Sequence, residues 1–256
     1  MTARPGTHEP LTQRAREWQH AHHAAVCDAI EPWAHGAVVR ASRYPTYYSF
    51  NLVRVEDEPE IGAEQLASFT DGALAGLEHR RIDFEDIDAA DARRAELTAL
   101  GWKTTRLVWM HHDHPLPPAP AELEVSEVPY EAADELRLAW HLEADDGSEY
   151  DRFQVAAREV SEARGVRVLT VSEDGRPIAF AQLERAGTGA EITQVYVAPE
   201  HRGCGRGTAM TRAAVRAAAD AEDLWIVADD EDRPKELYRR LGFRPAWHTM
   251  ECLLLR

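Results

Sequence analysis

The sequence predicts an α/β (α+β) fold built around one strand, one glycine-rich loop and one helix. Three observations support this class. Strand-type and helix-type segments alternate along the chain, a single stretch joins a strand to a helix through glycines, and a pattern near residue 101 recurs near residue 242. The chain has 256 residues, of which 44% are hydrophobic, so it is long enough for one large or two small domains.

The elements follow from local signals. In the first half, residues 1–35 form a helical lead-in, and residues 64–77 and 89–100 form helices, the latter ended by Gly101. The β-branched and aromatic segments are strands: 36–41, 47–55, 79–86 and 102–110. After a proline-rich joint at 111–121, helices are predicted at 130–143, 150–162 and 234–241, and strands at 123–128, 166–172, 178–184, 224–228 and 243–255. The joint places a boundary between domains 1–118 and 119–256.

Residues 192–219 are the stretch that joins a strand to a helix. Pro199 ends the strand because it has no N–H to donate. An alanine-rich helix begins after a loop whose residues are Arg202, Gly203, Cys204, Gly205, Arg206, Gly207 and Thr208. The first helical turn carries N–H groups without intrahelical partners, and the helix dipole favours an anion. The stretch therefore predicts a phosphate-binding site.

Two common phosphate loops do not fit this stretch. No lysine precedes Thr208, as a Walker A loop requires, and Thr208 stands where the dinucleotide fingerprint needs its third glycine. The pattern Arg202-x-x-Gly205-x-Gly207, preceded by Val197-x-Pro199, instead resembles the acetyl-CoA signature of the GCN5-related N-acetyltransferases. The order of elements over 122–256 is similar to that family too. The resemblance implies a mixed, mostly antiparallel central sheet flanked by helices, with acetyl-CoA as cosubstrate and no metal.

The same resemblance implies how the cosubstrate is held. The backbone amides of the loop would bind its pyrophosphate, and Arg202 and Arg206 would add positive charge. The strand edge would bind the pantetheine arm through Val195, Tyr196 and Val197. Glu231 stands where family members often carry an asparagine, which leaves one cosubstrate contact open.

Two side chains are candidates for proton transfer. Tyr238 lies in a segment that resembles the family's L-Y-x-x-x-G-F and is the candidate general acid, with a packed aromatic as the alternative. Glu191, at the start of the central strand, is the candidate general base, and burial would raise its pKa. An exposed strand-end residue and water-mediated deprotonation are the alternatives for Glu191.

The composition limits the classes of partner and the compartment that we expect for this chain. Lys and Arg number 29 against 45 Asp and Glu, a net charge of −16 that opposes nucleic-acid binding and is compatible with a cationic amine. No run of about 18 apolar residues predicts a membrane span, and the polar N-terminus predicts no secretory signal. Cys27, Cys204 and Cys252 form no motif, which favours a reduced, cytoplasmic setting. His20, His22 and His23 lack a carboxylate at ligand spacing.

The recurring pattern indicates a duplication. Leu100-Gly101-Trp102, followed by Met110, resembles Leu241-Gly242-Phe243, followed by Met250, at offsets of 141 and 140. It predicts two tandem acetyltransferase-like halves, although an L-G-aromatic helix end can recur by chance. If the offset of 141 applies without gaps, the N-terminal half has Ile61, Glu64, Leu66 and Leu97 at the positions that correspond to Arg202, Gly205, Gly207 and Tyr238. The N-terminal half is therefore predicted not to bind acetyl-CoA.

The predicted function is transfer of an acetyl group from acetyl-CoA to a primary amine by direct attack. The alternatives are a non-catalytic acetyl-CoA-binding or protein-interaction domain, and an enzyme that uses a longer acyl-CoA or acylates oxygen. The acceptor is a small amine or a peptide, neither nucleic acid nor membrane is expected as a partner, and a homodimer is left open. The candidate acceptor residues are Trp140, His141, Tyr150 and Phe153.

Overall fold

The computed structural model describes residues 10–118, 124–144 and 150–255, whose eleven strands form one continuous sheet. The helices are α1 (Leu11–Val26), α2 (Ala63–Ala73), α3 (Ile87–Ala99), α4 (Asp134–Ala144), α5 (Tyr150–Ala163), α6 (Arg206–Ala217) and α7 (Pro234–Arg240). The strands are β1 (Ala29–Trp33), β2 (Gly36–Arg40), β3 (Leu52–Val55), β4 (His79–Phe84), β5 (Lys103–His112), β6 (Ser126–Val128), β7 (Arg167–Glu173), β8 (Arg176–Ala186), β9 (Gly189–Val197), β10 (Asp223–Asp229) and β11 (Phe243–Leu255).

The sheet is mixed and mostly antiparallel, which confirms the predicted fold class. Across the described residues the strand order is β1-β2-β3-β4-β11-β5-β10-β9-β8-β7-β6. Within this order only β3 with β4 and β9 with β10 run parallel. Each parallel pair is joined by a helix, α2 in the first case and α6 in the second, as a parallel crossover requires.

The last strand of each half lies beside the other half. Strand β5 pairs with β10, and β11 inserts between β4 and β5. The central pairing is symmetric: Trp109 lies opposite Trp247 and Leu107 opposite Thr249. Residues 247 and 249 lie 140 positions after 107 and 109, so a shift by 140 converts one pair into the other. The sequence predicts two domains, but strands of both segments build a single sheet. The boundary predicted at 118/119 adjoins residues 119–123, which lie outside the described residues, and stays a prediction.

Two successive residues of β10 show which helices cover each face of the sheet. Trp225 packs with Trp18 of α1, together with Trp109 and Trp247. The neighbouring Ile226 packs with side chains of α6 and α7. Because successive strand residues point to opposite faces, α1 lies on one face and α6 with α7 on the other.

Several local predictions need correction. The lead-in predicted over 1–35 contains α1 but also β1. The strand predicted from residue 47 begins with a 3-10 turn at Tyr48–Phe50, where the Asn51 amide donates to the carbonyls of Tyr44 and Tyr47. His111, predicted to lie in the proline-rich joint, continues β5 because it pairs with β10 and its ring contacts Asp223 at 2.9 Å.

Candidate functional site

Strands β9 and β10 separate halfway along their length. Their pairing runs from Gly189 opposite Asp223 to Ile192 opposite Ile226 and goes no further. Beyond that point β9 remains paired only with β8, and β10 only with β5. The separation opens a slot in the sheet between residues 195–197 and 227–229, and the β9 edge of this slot has no strand partner. The predicted contacts of Val195, Tyr196 and Val197 with a pantetheine arm would be made at this edge.

The corresponding place in the N-terminal half is closed. Strands β3 and β4 stay paired to their ends at Val55 and Phe84, and the Glu85 N–H donates to the Val55 carbonyl at 2.8 Å. The following loop is filled by Arg93, whose guanidinium donates to the carbonyls of Pro59 and Ile61 at 2.5 and 3.1 Å. No slot is present there among the described residues.

The positions at which α2 and α6 begin show which residues of the two halves correspond. Helix α2 has Gly62 as its N-cap and α6 has Gly205, so the helices begin 143 residues apart and the gapless offset fails at this point. Gly62, and not Glu64, is the counterpart of Gly205. At the other end of the predicted repeat the offset agrees with the helix ends, because Leu97 and Tyr238 each lie three residues before the C-caps Leu100 and Leu241.

The glycine loop has the backbone of an anion cradle. Gly203 and Gly205 have φ of 81° and 80°, the left-handed region that favours glycine, and a Cβ at either would meet nothing within 4 Å. The N–H groups of residues 203–208 have no acceptor among the described residues. The loop leads directly into the N-terminus of α6, where the helix dipole favours negative charge.

Arg202 and Arg206 are not free to serve the loop. Arg202 forms a bidentate ion pair with Glu143 at 2.8 Å and also donates to the Val197 carbonyl at 2.9 Å. Arg206 is paired with Glu173. Both guanidinium charges are compensated within the chain, so the loop presents mainly backbone amides. The role predicted for these arginines requires an exchange of partners when an anion binds.

A β-bulge lies at the point where the slot begins. The β8–β9 register shifts so that Gln194 lies opposite Gln182 but Ile192 lies opposite Leu183, which leaves Thr193 as the extra residue. Bulges redirect side chains beside active sites. Thr193 and Gln194 both face a cavity, and sequence reasoning did not single out either residue because no local pattern marks a bulge.

This cavity has a volume of about 400 Å³ and lies on the α1 face of the sheet. It starts at the slot, with Glu191 and Val227, and extends towards β4 beneath α1 and α5. Of the predicted acceptor residues, Trp140, His141 and Phe153 line it. Tyr150 does not, because its hydroxyl donates to the Asp134 carbonyl.

Glu191 is buried at the slot end of the cavity, with 9% of its surface exposed. The Trp18 indole Nε1 donates to its Oε2 at 2.6 Å. Burial raises the pKa of Glu191, and the charge of Glu184 on β8 adds to this, while His22 and the Trp18 hydrogen bond act in the opposite direction. The alternative of an exposed strand-end residue is therefore wrong.

The contact between Trp18 and Glu191 depends on Gly189. A Cβ at Gly189 would lie 2.7 Å from the Trp18 ring, closer than real side chains approach. The absence of a side chain at the start of β9 therefore lets α1 approach the strand. No local pattern predicts this contact, because Trp18 and Glu191 are 173 positions apart.

Tyr238 lies on the opposite face, in the core formed with α6. Its ring packs edge-on against Phe243, and burial raises its pKa to about 12. Its hydroxyl has no hydrogen-bond partner among the described residues. The adjacent Leu237 lies near the slot, since a Cβ on Gly207 would touch both Leu237 and Val197 at ordinary contact distance.

Glu231 and the histidines have structural partners. Glu231 forms a bidentate ion pair with Arg94 of α3 at 2.7 and 2.9 Å, so it joins the two halves. His20 approaches the carboxylates of Glu56 and Glu85 closely enough for a shared cation. Those carboxylates already pair with guanidinium groups of Arg16 and Arg54, so the group is an ion-pair cluster of the α1 interface.

Comparisons with known proteins agree with this geometry. The family model described as Acetyltransferase (GNAT) domain matches residues 164–245, which include the slot, the glycine loop and Tyr238. Residues 164–245 therefore carry an acetyltransferase (GNAT) domain, a class whose fold supports acetyl transfer. No curated protein matches the chain.

Solved structures share the fold over nearly the whole chain. A functionally unknown conserved protein from Staphylococcus epidermidis is 15% identical, with a TM-score of 0.68 over 90% of this chain and 94% of that one. A GCN5-related N-acetyltransferase from Kribbella flavida is 17% identical, with a TM-score of 0.60 over 95% of each chain. Another from Sphaerobacter thermophilus is 15% identical, with a TM-score of 0.51 over 86% of this chain and 77% of that one. At these identities the likeness shows the fold alone.

Among the described residues, no helix has both the length and the apolar character that a membrane span requires.

Proposed function

We propose that this protein transfers an acetyl group from acetyl-CoA to a primary amine by direct attack. The observation that carries the proposal is the slot between β9 and β10, which has a glycine loop at one end and a cavity containing a buried glutamate on the α1 face. An acetyl thioester in this slot would place its carbonyl carbon between the cofactor loop and an acceptor in the cavity. The simplest test is thiol release from acetyl-CoA in the presence of amines; binding without release would favour the non-catalytic alternative.

The chain supplies a general base and hydrogen-bond donors to such a reaction. The Glu191 carboxylate accepts a proton from the acceptor ammonium, and its raised pKa brings it closer to neutral pH, where a base works best. Backbone N–H groups on the free edge of β9 donate to the carbonyl oxygen as it gains negative charge. The amine nitrogen forms its bond to the acetyl carbon while the bond from that carbon to sulfur breaks, and the nitrogen releases its second proton to water as the amide forms.

Tyr238 is proposed to protonate the leaving sulfur. With a pKa of about 12 the phenol stays protonated at neutral pH and can donate. An ordinary thiol has a pKa of about 8.5, but burial in the slot would raise the pKa of the thiol as well, which reduces the mismatch.

Tyr238→Phe tests this role. We expect kcat to fall by about 10²- to 10⁴-fold, the usual contribution of a positioned acid, with little change in acetyl-CoA affinity. Thermal stability should hold, because the lost hydroxyl has no partner in the described protein. If kcat is unchanged, Tyr238 is a packing residue.

Trp18→Phe tests the base through its positioning residue. The Trp18 hydrogen bond lowers the pKa of Glu191, so its loss raises that pKa. A hydrogen bond to a charged group contributes about 1.5–3 kcal/mol, so the acidic limb of the kcat/KM pH profile should move up by about one to two pH units.

Trp247→Phe is the matched control for this shift. The Trp247 indole belongs to the same aromatic cluster but donates to the Glu85 carbonyl instead. It should leave the acidic limb in place. Equal profiles for wild type and Trp18→Phe would contradict the role of Glu191 as base.

We also propose that the N-terminal half is a duplicated acetyltransferase fold that does not hold acetyl-CoA. The symmetric exchange of β5 and β11 and the parallel β3–α2–β4 unit support duplication. The closed β3–β4 pair supports loss of the cosubstrate site. So does Glu60 in the loop before α2, because its negative charge repels phosphate. The proposed domains remain 1–118 and 119–256.

A cytoplasmic location is proposed with this function. Cys27, Cys204 and Cys252 are all free thiols, as a reducing compartment maintains them. A small amine or a peptide remains the proposed acceptor.

A further inference from the structure

A small side-chain cluster joins the glycine loop to the helix that lines the cavity. Both carboxylate oxygens of Glu143 accept from the Nη2 of Arg202 at 2.8 Å, and its Oε1 also accepts from the Tyr196 hydroxyl at 2.6 Å. Glu143 lies in the last turn of α4, Arg202 in the loop and Tyr196 near the end of β9. One carboxylate therefore connects three segments that the proposed reaction uses.

Arg202 also covers a backbone acceptor on the free edge of β9. The Ala198 N–H donates to the Ile178 carbonyl at 2.9 Å, so Ala198 faces β8 and the preceding residue, Val197, directs its N–H and carbonyl into the slot. The Nε of Arg202 donates to this Val197 carbonyl at 2.9 Å. A pantetheine arm bound along β9 would need the same carbonyl, so the chain itself occupies part of the proposed cosubstrate site.

The contact between Arg202 and Glu143 is open to exchange. The two side chains are 47% and 40% exposed, so a phosphate group can reach the guanidinium from solvent. An exposed ion pair changes an equilibrium by about fivefold at most, whereas a phosphate on arginine forms two parallel charge-assisted hydrogen bonds. We therefore expect a cosubstrate phosphate to displace Glu143.

The last turn of α4 has few other contacts that would hold it in place. None of residues 138–143 is buried. His141 stacks on Phe153 of α5, and both His141 and Trp140 line the cavity. Because Glu143 lies in the same turn, loss of its ion pair changes what positions these two cavity residues.

We propose that Glu143 is a positioning residue that couples the cosubstrate site to the acceptor cavity. This inference rests on the proposed function. In the free protein Glu143 holds Arg202 over the Val197 carbonyl and fixes the end of α4. When a cosubstrate phosphate takes Arg202, the Val197 carbonyl becomes available to the pantetheine arm. The end of α4 is then free to adjust Trp140 and His141 around an acceptor.

Glu143→Gln tests the competition for Arg202. Glutamine keeps the size of the side chain and can still accept from the Tyr196 hydroxyl, but it has no charge with which to hold the guanidinium. Calorimetric titration with free coenzyme A should give a Kd about two- to fivefold lower than for wild type, because the competing ion pair is lost. An unchanged or higher Kd would overturn the inference.

Amide hydrogen exchange of residues 138–143 tests whether the release reaches α4. In wild type, coenzyme A should raise exchange in this segment by about two- to fivefold, since the helix end loses an anchor. In Glu143→Gln exchange should already be raised without coenzyme A and should not rise further. No change or slower exchange in wild type would overturn the coupling, as would an equal response in the variant.

Glu173→Gln is the matched control. It frees Arg206, the other paired arginine of the loop, but Glu173 lies on β7 and its printed partners do not include α4. Coenzyme A should therefore raise exchange in residues 138–143 of this variant as it does in wild type. A loss of that response in Glu173→Gln would mean that freeing any arginine of the loop suffices, which would overturn the role of Glu143.

Thiol release from acetyl-CoA separates this inference from the proposed function. If wild type and Glu143→Gln release thiol with amines but bind coenzyme A equally well, acetyl transfer stands and the coupling is overturned. If no amine supports release while coenzyme A raises exchange in α4 of wild type alone, the coupling stands and acetyl transfer is contradicted. Failure of the wild-type protein to bind coenzyme A would contradict both.

Discussion

Gly205→Glu should weaken acetyl-CoA binding by at least about 100-fold. Gly205 is the N-cap of α6 with φ of 80°, so any side chain there strains the backbone by about 1–3 kcal/mol. A carboxylate at this position also places a negative charge beside the amides of the loop, where the phosphates of the cosubstrate are proposed to lie. Calorimetric titration of the purified variant measures the loss.

Two further variants separate the effect of backbone strain from the effect of the added negative charge. Gly205→Ala introduces the strain without the charge and should weaken binding much less. Gly62→Glu introduces the same carboxylate at the N-cap of α2, where φ is −76° and a Cβ meets nothing within 4 Å. It should leave binding unchanged. Equal losses in Gly62→Glu and Gly205→Glu would mean that the glycine loop is not the binding site.

Glu191→Gln should lower kcat/KM by about 10²- to 10⁴-fold, the range typical of a general base. The amide keeps the size of the side chain and can still accept the Trp18 hydrogen bond, but it cannot take a proton. Steady-state kinetics with acetyl-CoA and the best amine measure the loss. A variant that retains full activity would assign deprotonation to water.

The same substitution should stabilise the protein at neutral pH. Because burial raises the pKa of Glu191 in the folded state, that state binds the proton more tightly than the unfolded chain. The stability contributed by Glu191 is therefore lost as pH rises from the ordinary carboxyl pKa through the raised value, and above it the ionised carboxylate has a net cost. Glutamine removes that cost.

Thermal unfolding across a pH range checks whether ionised Glu191 destabilises the folded protein. Glu191→Gln should be more stable than wild type at neutral pH, and the difference should shrink as pH falls towards the ordinary pKa of a glutamate. A variant that is less stable at neutral pH and equally so in acid would show that the ionised carboxylate is not destabilising in the folded protein.

Local patterns predicted much of the fold. Most helices and strands lie within a few residues of their predicted positions, because apolar periodicity, Pro199 and Gly101 act within one or two turns of chain. The left-handed conformations of Gly203 and Gly205 agree with the predicted anion-binding loop, because the conformational freedom of glycine is also a local property. The exchange of β5 and β11 could not be predicted, since nothing local in either strand specifies which half supplies its neighbour.

The candidate site was predictable only along a single strand and loop. Tyr238 and Glu191 were found from their positions relative to the central stretch. The partners that define the chemistry of Glu191 were not: Trp18 reaches it from α1. The ion pairs of Arg202 and Arg206 were also missed, because the partner carboxylates, Glu143 and Glu173, come from distant segments.

The number of acetyl-CoA molecules bound per chain tests the central claim most directly. The slot between β9 and β10 is open, whereas β3 and β4 are paired to their ends and Arg93 fills the loop beside them. Calorimetric titration of the wild-type protein should therefore give one site per chain. Two sites per chain, or one site that survives Gly205→Glu, would contradict a cosubstrate site confined to the C-terminal half.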